Sequence, residues 1–300
     1  MIFSVEKARS AYRWIKATTA CTNKEAPIGI IKRFSLYAPV GLRICISYPK
    51  SSIATAKQTP HNFKLTDFET ALPLHSESVG LYYSFFPYFL ATFLILKDHE
   101  TVKKGLRGMS ALVDISHAIY QQYPGKYPFG PKEAHLSWHK PADLALRLYY
   151  AVDPRRNNVF PSLHVGMTAF IGLVLLHGGY ERAAHVMLRW SALISASTLA
   201  VKQHFQVDII AAWVLASRVH YFFLETNQTN AAAMAAIKDE TLMACKNLIA
   251  GNYSPPLENN ASPAFHIHPA IFAGAEQVEG IESINPIYWE ILKSTLALTK

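Results

Sequence analysis

FPSLHVGMTAFIGLVLLHG at 160–178 and VKQHFQVDIIAAWVLA at 201–216 decide how this chain is read. Each begins with a short polar head carrying one histidine and runs into an apolar stretch with no polar face. A helix of that kind is buried all round, in protein or in lipid. Working outward, apolar segments recur at 79–96, 106–122, 162–178, 185–201 and 206–224, each close to the length that crosses about 30 Å of hydrocarbon. A sixth segment at 28–46 contains Lys32, Arg33 and Arg43. Charges at mid-span are expensive, so it reads as an interfacial helix or a poor span. The expected fold is all-α: an integral membrane helical bundle with five or six transmembrane helices.

Composition points the same way. Of 300 residues 50% are hydrophobic and 17% charged, where soluble domains carry about 25% charged residues. The net charge of +8 sits in connections between apolar segments, not along one helix face. Nucleic acid is therefore a poorer partner than anionic lipid head groups or phosphorylated substrates. Cys21, Cys45 and Cys245 show no paired or metal-ligand spacing, which argues against a disulfide framework. The N-terminal MIFSVEKARSAYRWIK has basic residues but no adjoining apolar core, unlike a signal peptide.

The alternation of spans gathers the polar heads on one face. Segment 106–122 ends beside the long connection 123–161, segment 162–178 starts there, and 185–201 returns to it, bringing Lys202 and His204 beside His164. The opposite face collects Lys97, Lys103, Lys104, Arg107 and Arg182, which the positive-inside rule assigns to the cytoplasm. The histidine-bearing face is then extracytoplasmic. Connection 123–161 is itself basic, against that rule, and phosphate binding would account for its charges. Asn157 and Asn158 read as capping residues for the helix that follows, His117 and His185 as structural, and Arg189, inside a span, as needing a partner.

His204 and Asp208 are four residues apart and share a helix face. A carboxylate beside an imidazole fixes its tautomer and raises its basicity, which suits a nucleophile or base. Pro161 and Ser162 stand where a helix begins, so its first amides and positive dipole end form an anion site. His164 beside it is placed to protonate a leaving alkoxide.

PSLH followed some forty residues later by QHFQVDIIAAWVLA resembles the second and third signatures of the type 2 phosphatidic acid phosphatase superfamily. FPSLHVG is most similar to its inositol phosphorylceramide synthase-like branch, and the similarity extends over about 66–224. The resemblance implies that His204 attacks phosphorus, Asp208 orients it and His164 protonates the leaving group, with Ser162 and the backbone near Leu163 binding phosphoryl oxygens. It implies no cofactor and no metal, since basic residues neutralise the phosphoryl charge. Two departures stand out. The third signature has an arginine six residues before the nucleophile, where this chain has Thr198, and Lys202 stands in. The first signature, Lys-x6-Arg-Pro, has the partial copy Lys140 and Arg147, with Leu148 in place of Pro. In the branch it resembles, an arginine follows a Tyr-Pro close to the end of the preceding span; in YPGKYPFGP that place is taken by Phe129, with Lys126 and Lys132 nearby. Arg155 and Arg156 complete the candidate clamp.

Three regions are expected: 1–65 with the interfacial or weak transmembrane helix, a membrane-embedded phosphatase-like catalytic domain at 66–224, and an amphipathic helix with a polar tail at 225–300. The expected function is a membrane lipid phosphatase or phosphotransferase working through phosphohistidine. Its substrate would be a phospholipid or an isoprenoid or sphingolipid phosphate. The alternative is a catalytically silent member of the fold that binds or transports lipid. Neither the acceptor nor the oligomeric state follows from the sequence.

Overall fold

A computed structural model describes residues 29–60, 63, 65, 67–128, 136–153 and 157–249. Among them the chain is helical, with no strands. In chain order the helices are α1 (Ile30–Thr55), α2 (Asp67–Ala71), α3 (Val79–Tyr83), α4 (Phe85–Ile95), α5 (His99–Gln122), α6 (Pro141–Val152), α7 (Leu163–His177), α8 (Glu181–Ala200), α9 (Gln206–His220) and α10 (Ala231–Ile249). A 3-10 turn, Ser76–Ser78, precedes α3, and a π turn, Tyr221–Glu225, extends α9.

The bundle is built around α7. Apart from His164, every residue from Leu163 to Leu175 is buried, as expected of a helix without a polar face. It packs against α5, α8 and α9. Small residues let these neighbours come close. A Cβ on Gly172 would stand 2.4 Å from Leu188 Cδ2, and one on Gly108 would stand 2.4 Å from Phe170 Cζ. Buried hydroxyls bind the helices across their packed faces. Tyr88 donates to the Thr168 carbonyl (2.6 Å), Tyr120 to the Pro161 carbonyl (2.9 Å) and Tyr150 to the Val201 carbonyl (3.0 Å).

Two helical runs, Ser76–Ile95 and Gln206–Glu225, are long and apolar enough to cross a membrane, and Leu163–His177 is apolar but shorter. Within the first run, a tightened turn at Ser84 divides α3 from α4. Helix α5 begins at His99, seven residues before the apolar run, because the Asp98 carboxylate caps it by accepting the Thr101 amide (2.7 Å).

The two arginines of α1 find partners along the bundle. Arg33 donates to the last carbonyls of α4, at Phe93 (2.6 Å) and Leu94 (3.2 Å), and Arg43 binds both oxygens of Asp114 (2.5 and 2.7 Å). At the other end of α1, Asn157 donates to the Ser52 carbonyl (2.8 Å) and to Thr55 Oγ1 (2.7 Å), and Asn158 to the Tyr48 carbonyl (3.1 Å). The two asparagines thus tie α1 to the start of α7; the cap of α7 is Ser162.

Connection 123–161 contains a helix that the Pro- and charge-rich composition concealed. Pro141 opens α6 at the position where a missing N–H costs nothing. Leu146 and Tyr150, four apart, bury one face against Tyr82, Val79 and Val201. Helix α6 therefore lies over the end of the bundle at which α7 and α9 begin. The amphipathic helix expected after 225 is α10, held to α9 by Arg218 and Glu240 (2.9 Å). The polar tail lies outside the described residues.

Candidate active site

The turn between α8 and α9 places His204. Lys202 adopts φ 55°, a conformation that costs a non-glycine residue about 1–2 kcal/mol. Its amide bonds the Leu199 carbonyl (3.0 Å), and the Gln203 amide bonds the Thr198 carbonyl (2.9 Å). This is a Schellman ending, which closes a helix by sending the next two amides back into its last turn. It reverses the chain within five residues, so that α9 starts at Gln206 with His204 held beneath it.

His204 is buried, and its Nδ1 lies 3.0 Å from the Val159 carbonyl and 3.2 Å from Asp208 Oδ2. A carbonyl only accepts, so the proton is on Nδ1 and the lone pair on Nε2. Burial pushes the His204 imidazole down to about 4, with the Val159 carbonyl and the Asp153 charge acting the other way, so the ring is neutral at physiological pH. Asp208 is fully buried and its Oδ2 also takes the Phe205 amide (2.7 Å). The same carboxylate thus caps α9 and orients the imidazole.

Ser162 caps α7, its hydroxyl accepting the Val165 amide (3.5 Å), and its own amide donates to the Asp208 carbonyl (3.1 Å). The two polar heads are therefore joined through their backbones. His164, in the first turn of α7, faces His204 with ring centroids 6.4 Å apart. His164 thus stands at the positive end of the α7 dipole. Tyr82 Oη stands 3.3 Å from His164 Nε2 and donates to Tyr149 Oη (2.7 Å).

A cavity of about 440 Å³ opens onto His164, lined also by Tyr48, Tyr82, Tyr149, Asp153, Phe85 and Phe86 among others. Tyr48 donates to Asp153 Oδ2 (3.1 Å) at its wall. A second cavity of about 280 Å³, formed almost wholly by apolar side chains of α1, α4, α5 and α7, shares Phe85 and Phe86 with the first. A chamber with tyrosine hydroxyls, a carboxylate and an imidazole in its wall thus shares two phenylalanines with an almost wholly apolar one. Tyr82 and Asp153 were not singled out in the sequence, since nothing in their local spacing marks them. A buried third group is Glu69: its carbonyl accepts Lys202 Nζ (2.8 Å) and its Oε1 the Gln206 amide (2.6 Å).

His164, His204, Asp208, Ser162 and Leu163 come together. The basic residues fare differently. Burial lowers the Lys202 ammonium while Glu69 opposes the shift, and its hydrogen bond points to the α2 backbone. Arg147 donates to the Leu136 carbonyl and stacks over Trp138 at 4.3 Å. Lys126 and Lys140 are exposed. Arg155, Arg156, Phe129 and Lys132 lie outside the described residues. Thr198 occupies the arginine position of the third signature fully buried, its hydroxyl bonded to the Ser195 carbonyl (2.7 Å).

Comparison with curated proteins and with solved structures gives no match. The family model described as the PAP2 superfamily matches residues 80–222, from α3 into the π turn and including Ser162, His164, His204 and Asp208, and this match supports placing the chain in that superfamily.

Proposed function

We propose that the chain is an integral membrane enzyme of five or six spanning helices that hydrolyses or transfers a phosphoryl group of a lipid phosphate, residues 66–224 forming its catalytic unit. The observation that carries this reading is the fixed tautomer of His204. Two acceptors share the hydrogen bond from its Nδ1–H, leaving the Nε2 lone pair for phosphorus, with the His164 ring centroid 6.4 Å from its own.

The Nε2 lone pair of His204 attacks phosphorus as the bond from phosphorus to the leaving oxygen breaks, and His164 gives its proton to that oxygen. The Asp208 carboxylate stabilises the positive charge on the phosphorylated imidazole. Neutral His164 then takes the proton of water or of an alcohol, whose oxygen attacks phosphorus and breaks the P–N bond. The first-turn amides and dipole of α7 favour the phosphoryl charge at His164.

The apolar cavity behind Phe85 and Phe86 supports a substrate with a hydrocarbon portion. Phe86, Leu90 and Leu94, four apart on α4, are all exposed, an outward stripe that fits acyl chains better than water. The basic residues at the far end, Lys97, Lys103, Lys104, Arg107 and Arg182, support a cytoplasmic placement for that end and an extracytoplasmic active site.

The test is phosphate release from a panel of lipid phosphates by detergent-purified protein with chelator present, alongside His204→Ala and acid-quench trapping of a phosphoenzyme. Release and trapping that both vanish in His204→Ala are expected. Release unaffected by the substitution would overturn the reading. The engagement of Arg147 with Leu136 and Trp138 favours a second reading, a silent lipid-binding relative. Phosphate-ester binding without turnover, in the presence of lipid alcohols as acceptors, would establish it.

A further inference from the structure

At the opposite end of the bundle from His204, α7 and α9 each finish in a histidine, and the π turn after α9 finishes in a glutamate. His177 Nδ1 lies 3.2 Å from Glu225 Oε1, and His220 Nε2 lies 3.5 Å from the same oxygen. All three donor atoms fall within 4.8 Å of one another. We propose that His177, His220 and Glu225 bind a divalent transition ion of the zinc class, clamping the ends of α7 and α9 to the π turn.

Three observations converge on this site. The spacing comes first. Ligands about 2.0–2.1 Å from a tetrahedral zinc stand roughly 3.3 Å from one another, which the two separations to Glu225 match. Two imidazoles and one carboxylate also form an established zinc donor set, with a fourth position left for water. Glu225 and His177 are partly exposed, with side chains 43% and 25% accessible, which leaves that position open.

The second observation is His220. Its side chain is only 5% accessible, yet neither ring nitrogen completes a hydrogen bond. A buried polar group without a partner costs about 1–3 kcal/mol, and a metal would relieve the nitrogen that faces Glu225. The Leu173 backbone carbonyl lies beside the ring. A metal-bound histidine normally gives its other N–H to such an acceptor.

The third is the backbone. Residues five apart in an α-helix are rotated by about 140° from each other at 100° per residue, which would turn Glu225 away from His220. The π turn, closed by Thr226 N–H to the Tyr221 carbonyl (3.0 Å), brings them to one side. Such turns are frequent at functional sites. The C-terminal end of α7, at His177, adds the negative end of its dipole, which favours a cation.

The experiment uses full-length protein in detergent, with no polyhistidine tag, stripped with chelator and titrated with Co²⁺. The expected result is one equivalent bound, with the visible absorption of a low-coordinate Co²⁺ site, displaced by Zn²⁺ and unchanged in His204→Ala. His177→Gln and Glu225→Gln, at partly exposed positions, should each weaken binding by at least about tenfold. Zn²⁺ should raise the thermal midpoint of the unsubstituted protein and not that of Glu225→Gln. No stoichiometric binding, or binding that survives both substitutions or is lost in His204→Ala, would overturn the proposal and leave His177 and Glu225 as a plain ion pair.

Discussion

Replacing Asp208 by Asn is expected to slow turnover by about ten- to a hundredfold, well short of abolishing it. Where a triad aspartate is the only acceptor for its histidine, the same change costs about 10⁴ in kcat, because the imidazole takes the wrong tautomer. Here the Val159 carbonyl, at 3.0 Å, is a nearer acceptor for His204 Nδ1 than Asp208 Oδ2 at 3.2 Å. The tautomer therefore survives, and only the charge opposite the phosphorylated ring is lost. A hydrogen bond to a charged group contributes about 1.5–3 kcal/mol, and about 1.4 kcal/mol is a factor of ten in rate. The asparagine oxygen can still accept the Phe205 amide, so α9 keeps its cap. The assay is phosphate release under single-turnover conditions, with a thermal melt to verify folding. A folded variant that loses 10⁴ or more would refute the primacy of Val159, and one with unchanged turnover would remove Asp208 from the mechanism.

His164→Ala should slow esters with poor leaving groups by about 10²-fold or more and spare those whose leaving oxygen needs no proton, as a leaving-group series would show; equal slowing of both would refute general-acid catalysis. The acid limb of kcat/KM should fall near pH 4, because burial holds His204 there; a limb near 6.5 in a pH–rate profile would contradict the buried ring. Stability shares this origin. The folded value lies below the unfolded one, so the contribution is complete above about pH 6.5 and is lost as pH falls from there toward 4, which melts at several pH values would detect. Gly172→Val should lower the thermal midpoint through overpacking of about 1–3 kcal/mol, since even its Cβ would meet Leu188 Cγ at 2.6 Å; an unchanged midpoint would mean α7 and α8 are not packed this closely.

The most legible parts of this protein were those in which local composition and tertiary demand agree. Segment 162–178 was readable as α7 within a residue at each end because its apolar run is unbroken and Ser162 is a strong cap. The four-residue spacing of His204 and Asp208 carried through to a contact because both sit at the entry to α9. What failed was information held elsewhere in the chain. Val159, 45 residues from His204, supplies a backbone carbonyl, and a carbonyl leaves no trace in side-chain pattern. Helix α6 was hidden because its apolar face is only a few residues and its flanks are charged. The destinations of Arg147 and Lys202 were unreadable for a similar reason. A long cationic side chain can reach many acceptors, and packing selects one.

Lys202 ties together two properties that could otherwise vary separately. Its backbone closes α8 in a left-handed conformation, and its ammonium sits on the Glu69 carbonyl. Glycine there would suit the turn and delete the charge, arginine would keep the charge and the strain, and valine would serve neither. The position therefore has a narrow set of acceptable neighbours in sequence space. A lineage seeking a different charge beside His204 has to renegotiate the helix ending in the same step.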